Sequence, residues 1–273
     1  MRKLRELKSG SNFIASARNA RGEKSMAELR ENLIKKKLLA GDSSIVLMGL
    51  DSADEIDQYG PGSHDGIWLE GEHGGIGFDE VTNLTRACDI WGKTSVTRVH
   101  QNQAGVIYRT LDRGSQGVCV PHVNTAEEAT SVVKAAKFSP IGERGMFPSR
   151  QSYGVQDYFL KANDETLLIV LIEDIVAINN LDEILDVDHI DVFFVAPSDL
   201  AASMGYIGRN TDQTVLDTID NALAKIVTAG KSAGTLVTDN NISHYREIGV
   251  RLFAAPVQKW ISDGIENLVK KSK

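Results

Sequence analysis

Eight short runs of apolar, strand-forming residues recur along this chain, and helical spacing fills most of the gaps between them. The runs are Ile45–Leu50, Ile67–Leu69, Thr94–Val99, Gly117–Pro121, Leu167–Ile172, Ile190–Val195, Ala233–Val237 and Arg251–Ala255. Several are apolar at successive positions, the pattern of parallel strands covered on both faces. Between them, helices are predicted over Ser25–Leu39, Ser52–Tyr59, Phe78–Trp91, Gln103–Leu111, from the Thr125 cap to Lys137, over Asp212–Ala229, near His244, and over Val257–Val269. Eight strands alternating with helices predict an α/β fold of the (β/α)8 TIM-type barrel class. A doubly wound open sheet is the competing topology, but the first strand is not followed by the GxGxxG turn of a dinucleotide fold. Residues 25–273 are read as one barrel domain. Residues 1–24, polar and basic, are read as an N-terminal extension, mobile or docked on a neighbour.

Composition narrows the function classes. The 273 residues carry 42% hydrophobic and 25% charged side chains, ordinary for a globular protein. A formal net charge of −7 argues against nucleic acid as a partner, so any anionic substrate must meet local Arg or Lys. Cys88 and Cys119 form no CxxC or Cys/His spacing, which predicts free thiols rather than a disulfide or zinc site. No apolar run reaches the length of a membrane span, and the basic N-terminus lacks a signal-peptide core. The expectation is a cytoplasmic protein.

In such a barrel, the carboxyl ends of the strands share one functional face. Glu70, Glu72 and His73 follow the second strand in Ile67–Gly75, a segment whose glycines let the backbone approach a ligand closely. Arg98 ends the third strand, Glu173 follows the fifth, and Asp199 follows the sixth. Two carboxylates from separate strands, completed by water, suit an octahedral Mg²⁺ or Mn²⁺. A single nearby histidine and no cysteine argue against zinc. Such an ion can chelate a 2-oxo acid through its carboxylate and C2 carbonyl and stabilise the enolate formed at C3. Each residue has a bland reading too. Asp199 can cap the turn near Ser198, Arg98 can simply pair with a barrel carboxylate, and Asp112 can end a helix or pair with Arg113. Glu173 is harder to explain away, because a lone buried carboxylate is costly. His64, His100, His122, His189 and His244 are read as ordinary surface or packing histidines.

Trp68–Gly74, the Ser139–Gly145 segment SPIGERG, Leu171–Glu173, and the Ala196–Gly205 segment APSDLAASMG together resemble the HpcH/HpaI family, from about Leu33 onward. That family comprises class II, metal-dependent 2-oxo acid aldolases. The resemblance implies Glu173 and Asp199 as metal ligands, with Mg²⁺, Mn²⁺ or Co²⁺ as the cofactor. His73 would be the acid/base residue, Arg98 the enolate partner, and Glu72 a support behind the ligands. Asp112 would reach the site from a neighbouring subunit, and backbone N–H groups of Ser198 and Asp199 would hold the substrate carboxylate. It further implies a barrel with an exchanged C-terminal helix, assembled as a hexamer. Three departures stand out: Glu70 where the family has Asp, Leu171 where it has a substrate-contacting Gln, and Phe253–Pro256 in place of a Gly-x-Asp turn.

The expected function is cleavage, or the reverse formation, of the C3–C4 bond of a 4-hydroxy-2-oxo acid, giving an aldehyde and pyruvate or a substituted pyruvate. No lysine stands at the strand ends, which argues against a Schiff-base aldolase. The alternatives are an acyl-CoA lyase of the citrate lyase β or malyl-CoA type, and an inactive barrel with a binding or scaffold role.

Overall fold

The structure is a computed structural model, and it describes residues 27–273. The predicted extension and the first residues of the predicted Ser25–Leu39 helix therefore lie outside the described residues. Eight parallel strands close into a barrel in sequence order. They are β1 Ser44–Met48, β2 Gly66–Glu70, β3 Thr94–Arg98, β4 Gly117–Val120, β5 Leu167–Ile172, β6 Val192–Val195, β7 Ala233–Leu236 and β8 Leu252–Pro256. Closure comes from β1 pairing β8, with Ser44 opposite Leu252 and Met48 opposite Pro256.

Residue parity explains both the core and the site. On β5, Leu167, Ile169 and Leu171 point into the barrel with Val46, Trp68, Val96, Val192 and Phe194. The alternate residues Leu168, Val170 and Ile172 pack outward against the helices. Both faces are apolar because both are covered. Continuing the parity, Gly66, Trp68 and Glu70 on β2, Thr94, Val96 and Arg98 on β3, and Glu173 beyond β5 all belong to the inward face. The barrel interior thus delivers its charged groups at its carboxyl end, while small hydroxyls such as Ser44 and Thr94 stand at its amino end.

The predicted Ser25–Leu39 helix is corrected: the helix runs over Leu33–Leu39 only. Asn32 stops it from starting earlier, since its side chain caps Lys35 N–H and its amide also donates to the carbonyls of Gln116 and Glu165. Upstream, Ala27 bridges Val155 and Leu29 packs beside Phe138 and Tyr158. The short helix closes the amino end of the barrel by inserting Ile34 into the interior. Gly66 makes room for it, because a Cβ there would lie 2.7 Å from Ile34 Cδ1 and 2.6 Å from Thr94 O. Four helices lie outside the predicted set: Tyr158–Glu165, Ile175–Asn179, Leu181–Leu185 and Pro197–Ser203. The last helix, Val257–Lys271, buries only Val257, leaving Trp260, Ile261, Ile265, Leu268 and Val269 exposed. No helix among the described residues is long and apolar enough to cross a membrane.

Candidate active site

The β2–β3 corner is organised by Glu70. Register places it directly opposite Arg98. Its carboxylate accepts from the backbone N–H groups of Glu72 (2.9 Å) and His73 (3.0 Å), from Trp68 Nε1 (3.2 Å) and from Arg98 Nε (2.8 and 3.0 Å). Burial alone would raise its pKa, but the His73 N–H and the Arg98 guanidinium outweigh that and hold it below the usual carboxylate range. Glu70 is therefore an organiser of the loop, bonded to the His73 backbone rather than placed against its ring. Gly71 is required beside it: its N–H donates to Arg98 O, and a Cβ would sit 2.6 Å from that oxygen.

Arg98 is held by two carboxylates, since its Nη1 also lies 3.1 Å from Glu72 Oε2. That oxygen is buried and out of hydrogen-bond alignment with any donor. Burial works against the Arg98 charge, yet Glu70 and Glu72 more than compensate and keep the guanidinium protonated. The pairing reading of Arg98 is thus correct as far as it goes. The guanidinium also lines a cavity of about 290 Å³ at the barrel mouth, together with Met48, Trp68, His73, Leu171, Phe194, Ala196, Ser198, Asp199 and Leu236. His73, 66% exposed at its side chain, stands at the rim with Nε2 3.9 Å from Glu72.

Glu173 closes the opposite side. It is only 2% exposed, and its Oε1 accepts a 2.8 Å bond from His122 N–H. Burial raises its pKa, and the nearby Asp199 and Glu72 carboxylates push the same way against the His122 N–H and ring. Asp199 sits in the first turn of Pro197–Ser203, whose N-cap is Ala196 with no side-chain cap bond. The capping reading of Asp199 is not what the structure has. In that turn the N–H groups of Ser198 and Asp199 have no intrahelical acceptor by position, so they are available to an anion.

Three carboxylates, Glu72, Glu173 and Asp199, thus share one mouth with a single guanidinium, and the most buried of them resists ionisation. A divalent cation would relieve that crowding, and an oxygen-rich donor set is what Mg²⁺ or Mn²⁺ prefers. Among the described residues no three such side chains already converge at coordinating spacing. The fit rests on charge and donor type.

One candidate stands away from this mouth, and one residue at the mouth was missed by sequence reasoning. Asp112, expected to join the site of a neighbouring subunit, lies on the outer layer at the end of the Ala104–Asp112 helix, away from this chain's own mouth. Its partner is neither Arg113 nor His73 but Arg144 of the SPIGERG segment, at 2.6 Å. Arg144 is buried with its guanidinium 4.5 Å over the Phe138 ring. Conversely, His122, read as ordinary, stands between Glu173 (Nδ1, 3.5 Å) and Glu72 (Nε2, 3.8 Å). Its position directly after β4 was the available signal. The other histidines fit the bland reading: His100 packs edge-on to Phe78, and His244 pairs Asp220 on the surface. Cys88 and Cys119 are buried thiols with raised pKa, Cys88 to about 12, because burial disfavours the thiolate.

The chain is 33% identical over 232 residues to a hydroxypyruvate/pyruvate aldolase of Roseovarius nubinhibens, covering 83% of this chain and 90% of that one. It is also 33% identical over 219 residues to a 2-keto-3-deoxy-L-rhamnonate aldolase of Klebsiella pneumoniae, covering 78% and 82%. Its fold superimposes on a crystal structure of an HpcH/HpaI aldolase/citrate lyase family protein from Burkholderia cenocepacia with a TM-score of 0.83 and 25% identity, over 88% of this chain and 99% of that one. Residues 44–264 match the sequence profile of that same family, from the first barrel strand into the last helix. With barrel and sequence agreeing, this chain belongs to the HpcH/HpaI aldolase/citrate lyase family.

Proposed function

We propose that this protein is a divalent-cation-dependent carbon–carbon lyase acting on 4-hydroxy-2-oxo acids, with pyruvate or a substituted pyruvate and an aldehyde as products. The observation that carries the reading is the meeting of Arg98, Glu173 and Asp199 at one mouth, beside the free N–H groups of Ser198 and Asp199. Glu173 and Asp199 would hold the cation, which supplies Lewis acidity toward the C1 carboxylate and C2 carbonyl of the substrate. The Ser198 and Asp199 N–H groups receive the carboxylate. His73, at the rim, takes the C4 hydroxyl proton as the C3–C4 bond breaks. Arg98 offers a fixed positive charge to the oxygen that becomes negative, without a proton to lose. Trp68, Leu171, Phe194, Met48 and Leu236 form an apolar wall that keeps water from the reacting carbons.

Assembly is part of the same reading. The exposed apolar stripe of Val257–Lys271 packs on a second copy, and Asp112 completes a neighbour's site. Both points rest on the family resemblance, supported by the uncovered helix face.

A panel of aldehydes offered with pyruvate and with hydroxypyruvate tests the activity. Condensation that chelation abolishes and Mn²⁺ or Mg²⁺ restores is expected. Failure with every aldehyde, despite bound cation, would remove the lyase reading.

A further inference from the structure

The groups that carry the chemistry stand on one part of the barrel mouth. Glu70, Arg98, Glu173 and Asp199 lie at or just past the ends of β2, β3, β5 and β6. The strands β7, β8 and β1 form a contiguous arc between β6 and β2. The cavity extends over that arc, since Leu236 of β7 and Met48 of β1 line it and, among the described residues, no side chain of β4 does. A substrate whose 2-oxo acid end lies between Glu173, Asp199 and Arg98 therefore has its aldehyde half over β7–β8–β1, past His73 at the rim.

That arc offers apolar surface and no positive charge. Met48 and Leu236 are packed on the interior cluster on one side and open to the mouth on the other. Trp68 stands opposite Met48 in register, and its ring lies 5.3 Å from that of Phe194. The Trp68 Nε1 donor is already taken by Glu70 at 3.2 Å. Polar side chains along the arc are committed as well. Gln258 Nε2 donates to Gly49 O at 3.2 Å, and Asn241 Oδ1 accepts from Thr238 N–H at 2.7 Å. The Lys259 ammonium is turned to Asp263, at 2.5 Å. The charges left are negative: Asp51 after β1 and Asp239 after β7, both exposed. Among the described residues Arg98 is the one cation that lines the cavity, and Glu70 and Glu72 already face it.

We propose that the aldehyde half of the substrate carries a short, uncharged, apolar substituent packed on Met48, Trp68, Phe194 and Leu236, and that aldehydes bearing a carboxylate are rejected. This rests on the reading that the mouth cleaves a 4-hydroxy-2-oxo acid. A carboxylate brought over this arc loses water without gaining a partner, and it meets the field of Asp51 and Asp239. An alkyl chain there gains by burial, about fourfold in kcat/KM for each methylene that the wall covers. The cavity, about 290 Å³, is at the small end of ligand sites, which limits the substituent to a few carbons.

Two aldehydes of matched shape test this, succinic semialdehyde and 4-methylpentanal, each condensed with pyruvate by the Mn²⁺-loaded full-length protein. The apolar one should have the higher kcat/KM by about a hundredfold or more. Propanal, butanal and pentanal should improve in that order. Met48→Arg sets a cation on the arc and should move the ratio of the matched pair toward succinic semialdehyde by about tenfold or more. Leu236→Arg serves as a second variant. Because each ratio is taken within one preparation, a general loss of turnover does not mimic the effect. Equal or higher kcat/KM for succinic semialdehyde in wild type overturns the proposal and leaves the lyase reading standing. A ratio that neither folded arginine variant moves overturns it too. No condensation with any of these aldehydes also overturns it, and if exchange of the pyruvate methyl protons is absent as well, the lyase reading falls with it.

Discussion

Arg98 concentrates the competing demands of the mouth, since one guanidinium neutralises Glu70, faces Glu72 and still lines the cavity there. Lysine in its place keeps a charge but cannot bond Glu70 through Nε while presenting a second N–H elsewhere. Arg98→Lys is expected to lower kcat about a hundredfold or more while Mn²⁺ still binds, measured by turnover and by electron paramagnetic resonance titration. Near-normal turnover would take Arg98 out of the chemistry. Leu171 makes a subtler statement. Buried in an apolar wall, it offers nothing to a 3-hydroxyl group, so pyruvate should be preferred to hydroxypyruvate as the nucleophile. Leu171→Gln should raise kcat/KM for hydroxypyruvate relative to pyruvate by roughly fivefold, the worth of one hydrogen bond. An unchanged ratio would mean that this wall does not meet C3. Glu173 could be found in the sequence because a carboxylate directly after six apolar residues has no cheap structural explanation. His122 offered only its place just after β4, because its contacts depend on a left-handed backbone after Pro121 that turns the ring back toward Glu173. The several bonds of Glu70 were equally invisible, as they need the β2–β3 register.

Most strands were legible for a simple reason: they are apolar on both covered faces, whereas β3, with Val96 as its one aliphatic residue, showed itself by β-branched threonines. Most boundaries shift by only a residue or two; β1, for example, ends at Met48 rather than Leu50, where Gly49 takes φ of +85°. Helices of five to eight residues, such as Ile175–Asn179 and Leu181–Leu185, span too few turns to display a periodicity. The helix Tyr158–Glu165, outside the predicted set, matters to the frame. Its end presents the carbonyls of Asn163 and Thr166 to the buried ammonium of Lys137, at 2.9 and 2.6 Å. Burial pushes Lys137 down from 10.5 to about 8, against the pull of Asp191. Between those values the unfolded chain binds more protons than the folded one, so this group makes stability rise with pH from about 8 to 10.5. Chemical denaturation of wild type and Lys137→Met across that range should show the rise flattened in the variant. Equal slopes would mean that Lys137 keeps its ordinary affinity for protons when folded.

At the scale of the whole molecule, the amino end of the barrel is plugged by Ile34 and the carboxyl end gathers the chemistry. One chain alone leaves the apolar stripe of the last helix uncovered, and gives Asp112 a structural partner in Arg144. Asp112→Asn should cost on the order of 3 kcal/mol in stability simply by leaving the buried Arg144 unpaired. Loss of activity in that variant is therefore not diagnostic. Mixing Asp112→Asn with His73→Ala subunits is, because shared sites regain both groups in mixed oligomers. Recovered activity supports a site completed by a neighbour, and no recovery despite demonstrated subunit exchange contradicts it. The central claim, that carboxylates at this mouth hold a cation which acidifies a 2-oxo acid at C3, has a more direct test. Proton NMR of pyruvate in D₂O follows loss of the methyl signal without any aldehyde present. Exchange by the Mn²⁺- or Mg²⁺-loaded protein that stops on chelation, and that Glu173→Gln lacks, is the predicted result. Exchange indifferent to chelation, or no exchange by wild type with cation bound, would contradict the account.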